Sequence, residues 1–585
     1  MKHLILLSCT ALFGFFATAQ SNIQLTNPIA NDVLMGNYDP ADFAANDVID
    51  DPRVIASQLT DRINPDSLYS YLKRMSAFEN RNTGSDTVSN QRGIGAARRW
   101  AYQKFEQFSA QNDSRLIPSY LQFDQGICGM TQHRNIVAVL PGRSLEGPPL
   151  NGATGIIIIE GHLDSRCDTP CDTSCLAEGM EDNGSGSALV LELARVMSKY
   201  TYDRTIVFML TIGEEQGLYG ADAMADFVKD NGIPVEAVLN NDVIGGVICG
   251  VTSSAPSCPS ENDIDSTQVR IFSSGTFSSR NKQLARYVKL QYLEELVQHV
   301  KVPQQITIMT AEDRQGRGGD HIPFRSQGYA AIRFTSANEH GDASNGAGYD
   351  DRQHTSEDVL GVDTDNDGQL DSFFVDFNYL ARNGAINANA ATMIAQNACF
   401  DGGFEVEQIN WHQVRVSIGG DWCPGPPYRI AIRTETNDFD TVLSSDSNVT
   451  IVEVTPGFMH FFSVCGVNDN DIESLFTGEQ FIDIVGQNEV ATEKKGIELL
   501  QNRPNPFDES TTIAFLVHDM PASKQASVRV SDVQGRIIQQ IDQPLQAGMN
   551  EALYHHGYGK AGTFYYSLLI DNQVIDTKKM VFVAN

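Results

Sequence analysis

Between residues 160 and 242 one histidine and a series of carboxylates recur at short intervals. They are Glu160-Gly161-His162-Leu163-Asp164, then Glu181-Asp182-Asn183-Gly184-Ser185-Gly186, then Glu214-Glu215, then Asn241-Asp242. Carboxylate and imidazole are the usual ligands of zinc in open sites and of other borderline or hard cations. Two such cations about 3.5–4 Å apart would share one carboxylate and jointly acidify a water, leaving one of the Glu214-Glu215 pair as general base. That is the apparatus of metal-assisted hydrolysis.

Positioning these groups falls to four short apolar runs, residues 136–140, 155–159, 205–211 and 237–240, which read as strands. Helical spacing follows at 187–199 and 281–300, and also marks 65–80 and 93–108. Strands nearly continuous in Ile and Val, separated by helices, imply a largely parallel mixed sheet covered on both faces. In such sheets ligands gather beyond the carboxyl ends of the strands. His162 and Asp164 follow one strand, Glu214-Glu215 a second and Asp242 a third, while Glu181-Asp182 opens the helix near Ser187. The four stations therefore belong on one edge.

Five motifs occur in order: G-H-L-D-S (161–165), E-D-N-G-S-G (181–186), G-E-E-Q-G (213–217), N-N-D-V (240–243) and Q-H-T-S-E-D (353–358). Together they resemble the co-catalytic zinc exopeptidases of the bacterial leucyl aminopeptidase type, whose relatives include glutamate carboxypeptidases. The resemblance covers roughly 65–397 and implies the α/β zinc-exopeptidase fold with two Zn2+ per chain. By motif, His162 and Asp242 would hold one zinc, Glu215 and His354 the other, and Asp182 would bridge them. Glu214 would be the general acid/base, and the Asp164 carboxylate would hydrogen-bond the far ring nitrogen of His162. His340 in Asn338-Glu339-His340 competes with His354, but only His354 stands in the last-ligand motif. Asp320-His321, in G-D-H-I-P-F, resembles a segment near the active site of these enzymes and equally suits a satisfied loop. The chain departs from the family in a cysteine-bearing insertion, residues 166–176, placed to shape the pocket mouth.

A second metal pattern follows. Asp363, Asp365, Asp367, Gln369 and Asp371 alternate, with Gly368 at the sixth position, which resembles the front of a calcium loop. Phe374 stands where the bidentate Glu belongs, so a structural Ca2+ is weighed against a solvated acidic loop.

The 585 residues exceed a single core, and their formal charge of −32 argues against nucleic-acid binding, which needs a basic face. Residues 1–19 read as a signal peptide: Lys2 and His3, an apolar run over 4–16, then Ala17-Thr18-Ala19. No later run reaches the length of a membrane span, so no stable membrane insertion is expected. Ten cysteines, one of them Cys9 in that leader, leave an odd number for an oxidising compartment. Cys167, Cys171 and Cys175 suit loop disulfides better than a metal cluster, and Cys249 with Cys258 would close a Ser/Pro loop.

Residues 20–63, polar with scattered Pro and Asn, read as an extended leader or propeptide before a peptidase domain at 64–399. Short alternating strands over 404–485 resemble a fibronectin type III domain, with the Trp411 strand supplying core packing and His460 where that family has Tyr. A linker at 486–496 leads to 497–585, another small β-sandwich. There, residues 500–507 (L-Q-N-R-P-N-P-F), 533–536 (V-Q-G-R) and 578–581 (K-K-M-V) resemble the C-terminal sorting domain of type IX secretion. The expectation is a secreted or cell-surface zinc aminopeptidase acting on peptides, with the type IX machinery as partner. A carboxypeptidase of the same family is the nearest alternative, and a non-catalytic adhesion protein on a peptidase scaffold is another.

Overall fold

Runs of Ile, Val and Ala without charge make strands that can be buried on both faces, and the main sheet is built around them. Its strands are β1 (Ser21–Leu25), β2 (Ile117–Ile127), β3 (Met130–Leu140), β4 (Ile156–His162), β5 (Ile206–Thr211), β6 (Val235–Asn241), β7 (Gln268–Ser273), β8 (Gln305–Ile308) and β9 (Ala331–Ser336). The order is β1-β2-β3-β5-β4-β6-β9-β7-β8. The four central strands, β5, β4, β6 and β9, run parallel, and antiparallel pairs extend the sheet on both sides. Every residue of β4 and β5 is buried. The computed structural model describes residues 20–583 apart from 144–154, 249–262, 276–278, 314–316, 338–351, 398–401, 420–424, 435, 485–495, 523–524, 557–560 and 572. Residues 1–19, read above as a signal peptide, Cys249 with Cys258, His340 and nearly all of the expected 486–496 linker lie outside the described residues.

Helices cover both faces: α1 (Pro28–Leu34), α2 (Pro52–Arg62), α3 (Pro65–Ser76), α4 (Gly93–Gln111), α5 (Gly186–Met197), α6 (Tyr219–Asp230), α7 (Arg280–Gln291), α8 (His321–Ser326) and α9 (Phe377–Ala395). The Ala-rich α9 is buried almost all round and packs against α2, α3, α5 and α7. Small side chains permit that close approach, and buried Asn383 satisfies its amide on the Ile244 carbonyl at 2.9 Å.

The reading of 20–63 as extended is corrected. β1 pairs antiparallel with β2, and α2 places Ile55, Ala56 and Leu59 in the main core. The scattered Asn, Asp and Pro are helix starts. Asn27-Pro28, Asp51-Pro52 and Asn64-Pro65 each put a capping oxygen on a free N–H and a proline in the first turn.

Beyond residue 402 the described chain is all β. Three strands (Gly403–Asn410, Gln413–Gly419, Val449–Glu453) face four (Tyr428–Arg433, Thr441–Ser445, Met459–Gly466, Gln480–Asp483) across one apolar cluster. Its outer side shares Ala431, Cys465, Ile472 and Phe476 with the main core. Trp411 itself stays out of the core, although Phe404, Val414, Val416 and Ile418 of the strands on either side enter it: it sits in the turn between them, 39% exposed, with the His412 ring tilted against it. The final sandwich repeats the three-on-four plan around a separate cluster. Within it the 500–507 strap lies against the last strand, with Phe507 N–H donating to the Val581 carbonyl at 3.0 Å.

Candidate metal centre

Parallel register brings the first stations level. His162 at the end of β4 is opposite Thr211 at the end of β5, and Glu160 is opposite Asn240 of β6. Gly213, at φ +77°, lets the chain turn sharply after β5 and present Glu214 and Glu215. Gly186 opens α5 so close to β6 that a Cβ would stand 2.1 Å from the Asn241 carbonyl, so only glycine brings the Asp182 loop to the strand ends.

His162, Asp182, Glu214, Glu215, Asp242 and His354 all converge. Asp182 is central: its Oδ1 lies 3.1 Å from His162 Nε2, and its Oδ2 lies 3.0 Å from His354 Nε2. Asp242 Oδ1 completes one side at 3.2 Å from His162 Nε2, and Glu215 Oε2 completes the other at 3.2 Å from His354 Nε2. Glu214 Oε2 stands a little off, 3.9 Å from His162 Nε2.

These spacings fit zinc. Ligand atoms about 2.0–2.1 Å from a tetrahedral ion lie roughly 3.3 Å from one another. The electrostatics point the same way. Burial works against the His162 imidazolium, but Glu214, Asp182 and Asp242 overcome it and hold its pKa well above the ordinary value. For His354 burial is likewise overcome, by Glu215 and Asp182, and its pKa is pushed up to about 9. Burial raises the Glu214 carboxyl well above its usual range, with the His162 charge opposing and Asp242 and Glu215 reinforcing. A cluster of this kind demands positive charge, which divalent cations supply.

The surrounding groups hold the ligands. The Asp164 expectation needs correcting: His162 Nδ1 meets the Asp164 backbone carbonyl at 3.0 Å, while the carboxylate is 3.7 Å away. That carboxylate instead accepts from the Glu214 and Glu215 N–H groups at 3.4 and 3.3 Å and from Thr83 Oγ1 at 3.2 Å, fixing the turn that carries both glutamates. Asp320 accepts from Thr211 Oγ1 and is raised by burial to about 7, and burial lowers His321 to about 4.

Several contributors escaped the sequence reading. Asp358 accepts from the Glu181 and Asp182 N–H groups at 2.8 and 3.0 Å, setting the bridging loop. It closes the Q-H-T-S-E-D motif, so its signal was present. Arg333, fully buried, reaches Asp242 Oδ2 at 3.2 Å and Asp313 Oδ1 at 2.8 Å, but a charge inside an apolar strand carries no local signature. Arg166 and Arg317 flank His354, with nitrogens 2.6 and 3.1 Å from its ring.

The insertion at 166–176 is stapled by two disulfides, Cys167–Cys175 within it and Cys128–Cys171 to the β2–β3 hairpin. The loop reading of these cysteines holds. Elsewhere, Asp363, Asp365 and Asp371 bring carboxylate oxygens within 4.8 Å of one another in an exposed loop. Asp367 stands outside that group, its N–H donating to Asp363 Oδ1 at 3.2 Å.

Residues 135–371 match the model of the family described as peptidase family M28. A protein of Pyricularia oryzae named as a probable zinc metalloprotease is 30% identical over 372 residues, 58% of this chain and 68% of that one. One of the same description from Leptosphaeria maculans is 30% identical over 412 residues, 68% of this chain and 84% of its own. Among solved structures, the Legionella pneumophila LapA aminopeptidase aligns with a TM-score of 0.42 and 19% identity, over 60% of this chain and 78% of that one.

Proposed function

The chain belongs to peptidase family M28 and is a zinc metallopeptidase, and from that premise we propose that it is an exported aminopeptidase that shortens peptides from their free amino end. One observation carries the two-ion reading: the two oxygens of Asp182 face different histidines, at 3.1 and 3.0 Å. His162 and Asp242 would hold one zinc, Glu215 and His354 the other, with Asp182 common to both.

When bound, paired zinc ions polarise the scissile carbonyl and acidify the attacking water. Glu214, not needed as a ligand, accepts a proton from that water and delivers it to the departing amine. Its carboxylate stands beside the ligand atoms rather than among them, 3.9 Å from His162 Nε2, where it can take that proton and return it. Asp164 keeps Glu214 and Glu215 in register through their N–H groups, and Asp358 does the same for Asp182.

Export is supported by the 1–19 pattern and, for passage across an outer membrane by type IX secretion, by the motifs at 500–507 and 578–581. No helix among the described residues is long and apolar enough to cross a membrane. The three-on-four sandwich at 403–483 is compatible with a fibronectin type III module. A structural calcium at Asp363, Asp365 and Asp371 is part of the same reading. A carboxypeptidase is the second reading, favoured by the arginine beside His354.

Mass spectrometry of a defined peptide and its N-acetylated copy tests the proposal. Stepwise loss from the amino end, blocked by acetylation, is expected. Shortening of both copies from the carboxyl end would replace it with the second reading.

A further inference from the structure

We propose that Arg81 is a positioning residue of the metal centre, one that sets His162 against Asp182 and so shapes the zinc site these two complete with Asp242. The inference rests on the two-ion reading and concerns a residue outside the five sequence motifs. Arg81 lies in the segment 79–85, E-N-R-N-T-G-S, between α3 and α4, and is fully buried. Asn80, Asn82, Thr83 and Ser85 beside it are buried as well. A buried guanidinium is costly unless its donors are satisfied, and Arg81 finds its acceptors on the loops that carry the metal ligands.

Each of its three nitrogens donates to a backbone carbonyl. Nε reaches Leu163 at 2.8 Å, Nη2 reaches Gly179 at 2.9 Å, and Nη1 binds Glu178. Leu163 stands between His162 and Asp164, and its own N–H donates to the Thr211 carbonyl at 2.8 Å. With Arg81 on its carbonyl, the turn after β4 is gripped from both sides. Gly179, at φ +55°, begins the loop of Asp182, and its carbonyl also accepts from the Gly184 N–H at 2.8 Å, closing a ring around Asp182. One planar group thus grips both the turn that aims His162 and the ring that aims Asp182. A second link runs beside it: Ser165 Oγ accepts from the Arg81 N–H at 3.2 Å and donates to the Ala177 carbonyl at 2.7 Å.

The dependence should be one-sided. Glu215 and His354 do not stand on a segment that Arg81 grips, and the Glu215 N–H is held separately by Asp164. Geometry also matters more than charge here. Burial opposes the guanidinium, while Asp358, Asp164, Glu178 and Asp182 sustain its charge. Lysine would bring the same charge, but a single ammonium does not reproduce three nitrogens spread over a plane.

Arg81→Lys in the full chain therefore separates a clamp from a general support. Zinc affinity at the two sites is read by competition with a chelator, and zinc-edge anomalous diffraction identifies the site that empties first. The site of His162, Asp182 and Asp242 should weaken about 10–100-fold, the usual cost of losing a group that orients a metal ligand, and the other site about fivefold less or better. Equal losses at the two sites, a larger loss at the Glu215 and His354 site, or wild-type affinity at both would each overturn the inference.

Circular dichroism and melting of the metal-free chain report whether the variant folds. If it does not, Ser165→Ala loosens the same junction by removing one hydroxyl, and should weaken zinc at the same site about threefold or more. Unchanged affinity in a folded Ser165→Ala chain would then overturn the inference. A wild-type chain that takes up only one zinc would overturn the two-ion reading instead. The clamp would still be decided by whether that ion is held more weakly once Arg81 or Ser165 is replaced.

Discussion

At the scale of single residues, division of labour between adjacent glutamates is the sharpest feature. Glu215 Oε2 sits at a ligand spacing of 3.2 Å from His354 Nε2, whereas Glu214 Oε2 stands 3.9 Å from His162 Nε2. Glu214→Gln should therefore lower kcat by about 10²–10⁴-fold, the usual value of a general acid/base, with zinc content by elemental analysis unchanged. Loss of zinc in that variant would show that Glu214 is a ligand. His321 provides a pH prediction. Burial lowers its pKa to about 4, against about 6.5 in an unfolded chain. The unfolded state thus takes up a proton between those values while the folded state does not. Stability from this residue is intact above pH 6.5 and drains as pH falls towards 4, by about 3 kcal/mol in all. Between pH 7 and pH 5, His321→Gln should lose about 2 kcal/mol less than the wild type in denaturant titrations.

At the scale of elements, α2 does more than its sequence announced. Leu59 is fully buried against the main core, so Leu59→Ala should cost about 2–5 kcal/mol by thermal or denaturant unfolding. A cost near zero would mean that the 20–63 segment is a loosely held leader after all. That segment also shows what was and was not legible. Strands β4, β5 and β6 could be read because each carries a short run of Ile, Val, Leu, Phe or Ala and leads into His162, the Glu214 turn or Asp242. Strand β1 could not, since S-N-I-Q-L becomes a strand only through pairing with β2, a partner some hundred residues away. The Asx-Pro caps are present in the sequence, but α1 and α2 offer too few apolar residues to show a helical period behind them. Asp164 was legible as a supporting carboxylate, but not the group it supports: its own backbone carbonyl reaches His162 first, and that depends on the local turn. Arg333 and Arg166 act through contacts distant in sequence, which residue spacing does not encode.

At the scale of the whole molecule, the two sandwiches relate differently to the peptidase core. The first shares Ala431, Cys465, Ile472 and Phe476 with it, and Tyr287 of α7 donates to the Glu473 carbonyl at 2.9 Å. The last sandwich closes its own cluster around Val528, Tyr566 and Met580. Removing 497–585 should leave kcat/KM within about twofold, whereas removing 403–585 uncovers core residues and should lower the melting temperature by several degrees. Equal effects from both truncations would refute this ordering. The catalytic expectations depend on one arrangement, a pair of metals sharing Asp182. Zinc-edge anomalous diffraction from crystals of the zinc-loaded chain tests it most directly. The account predicts two peaks, one among His162, Asp182 and Asp242 and the other among Asp182, Glu215 and His354. A single peak, or zinc bound away from Asp182, would contradict it.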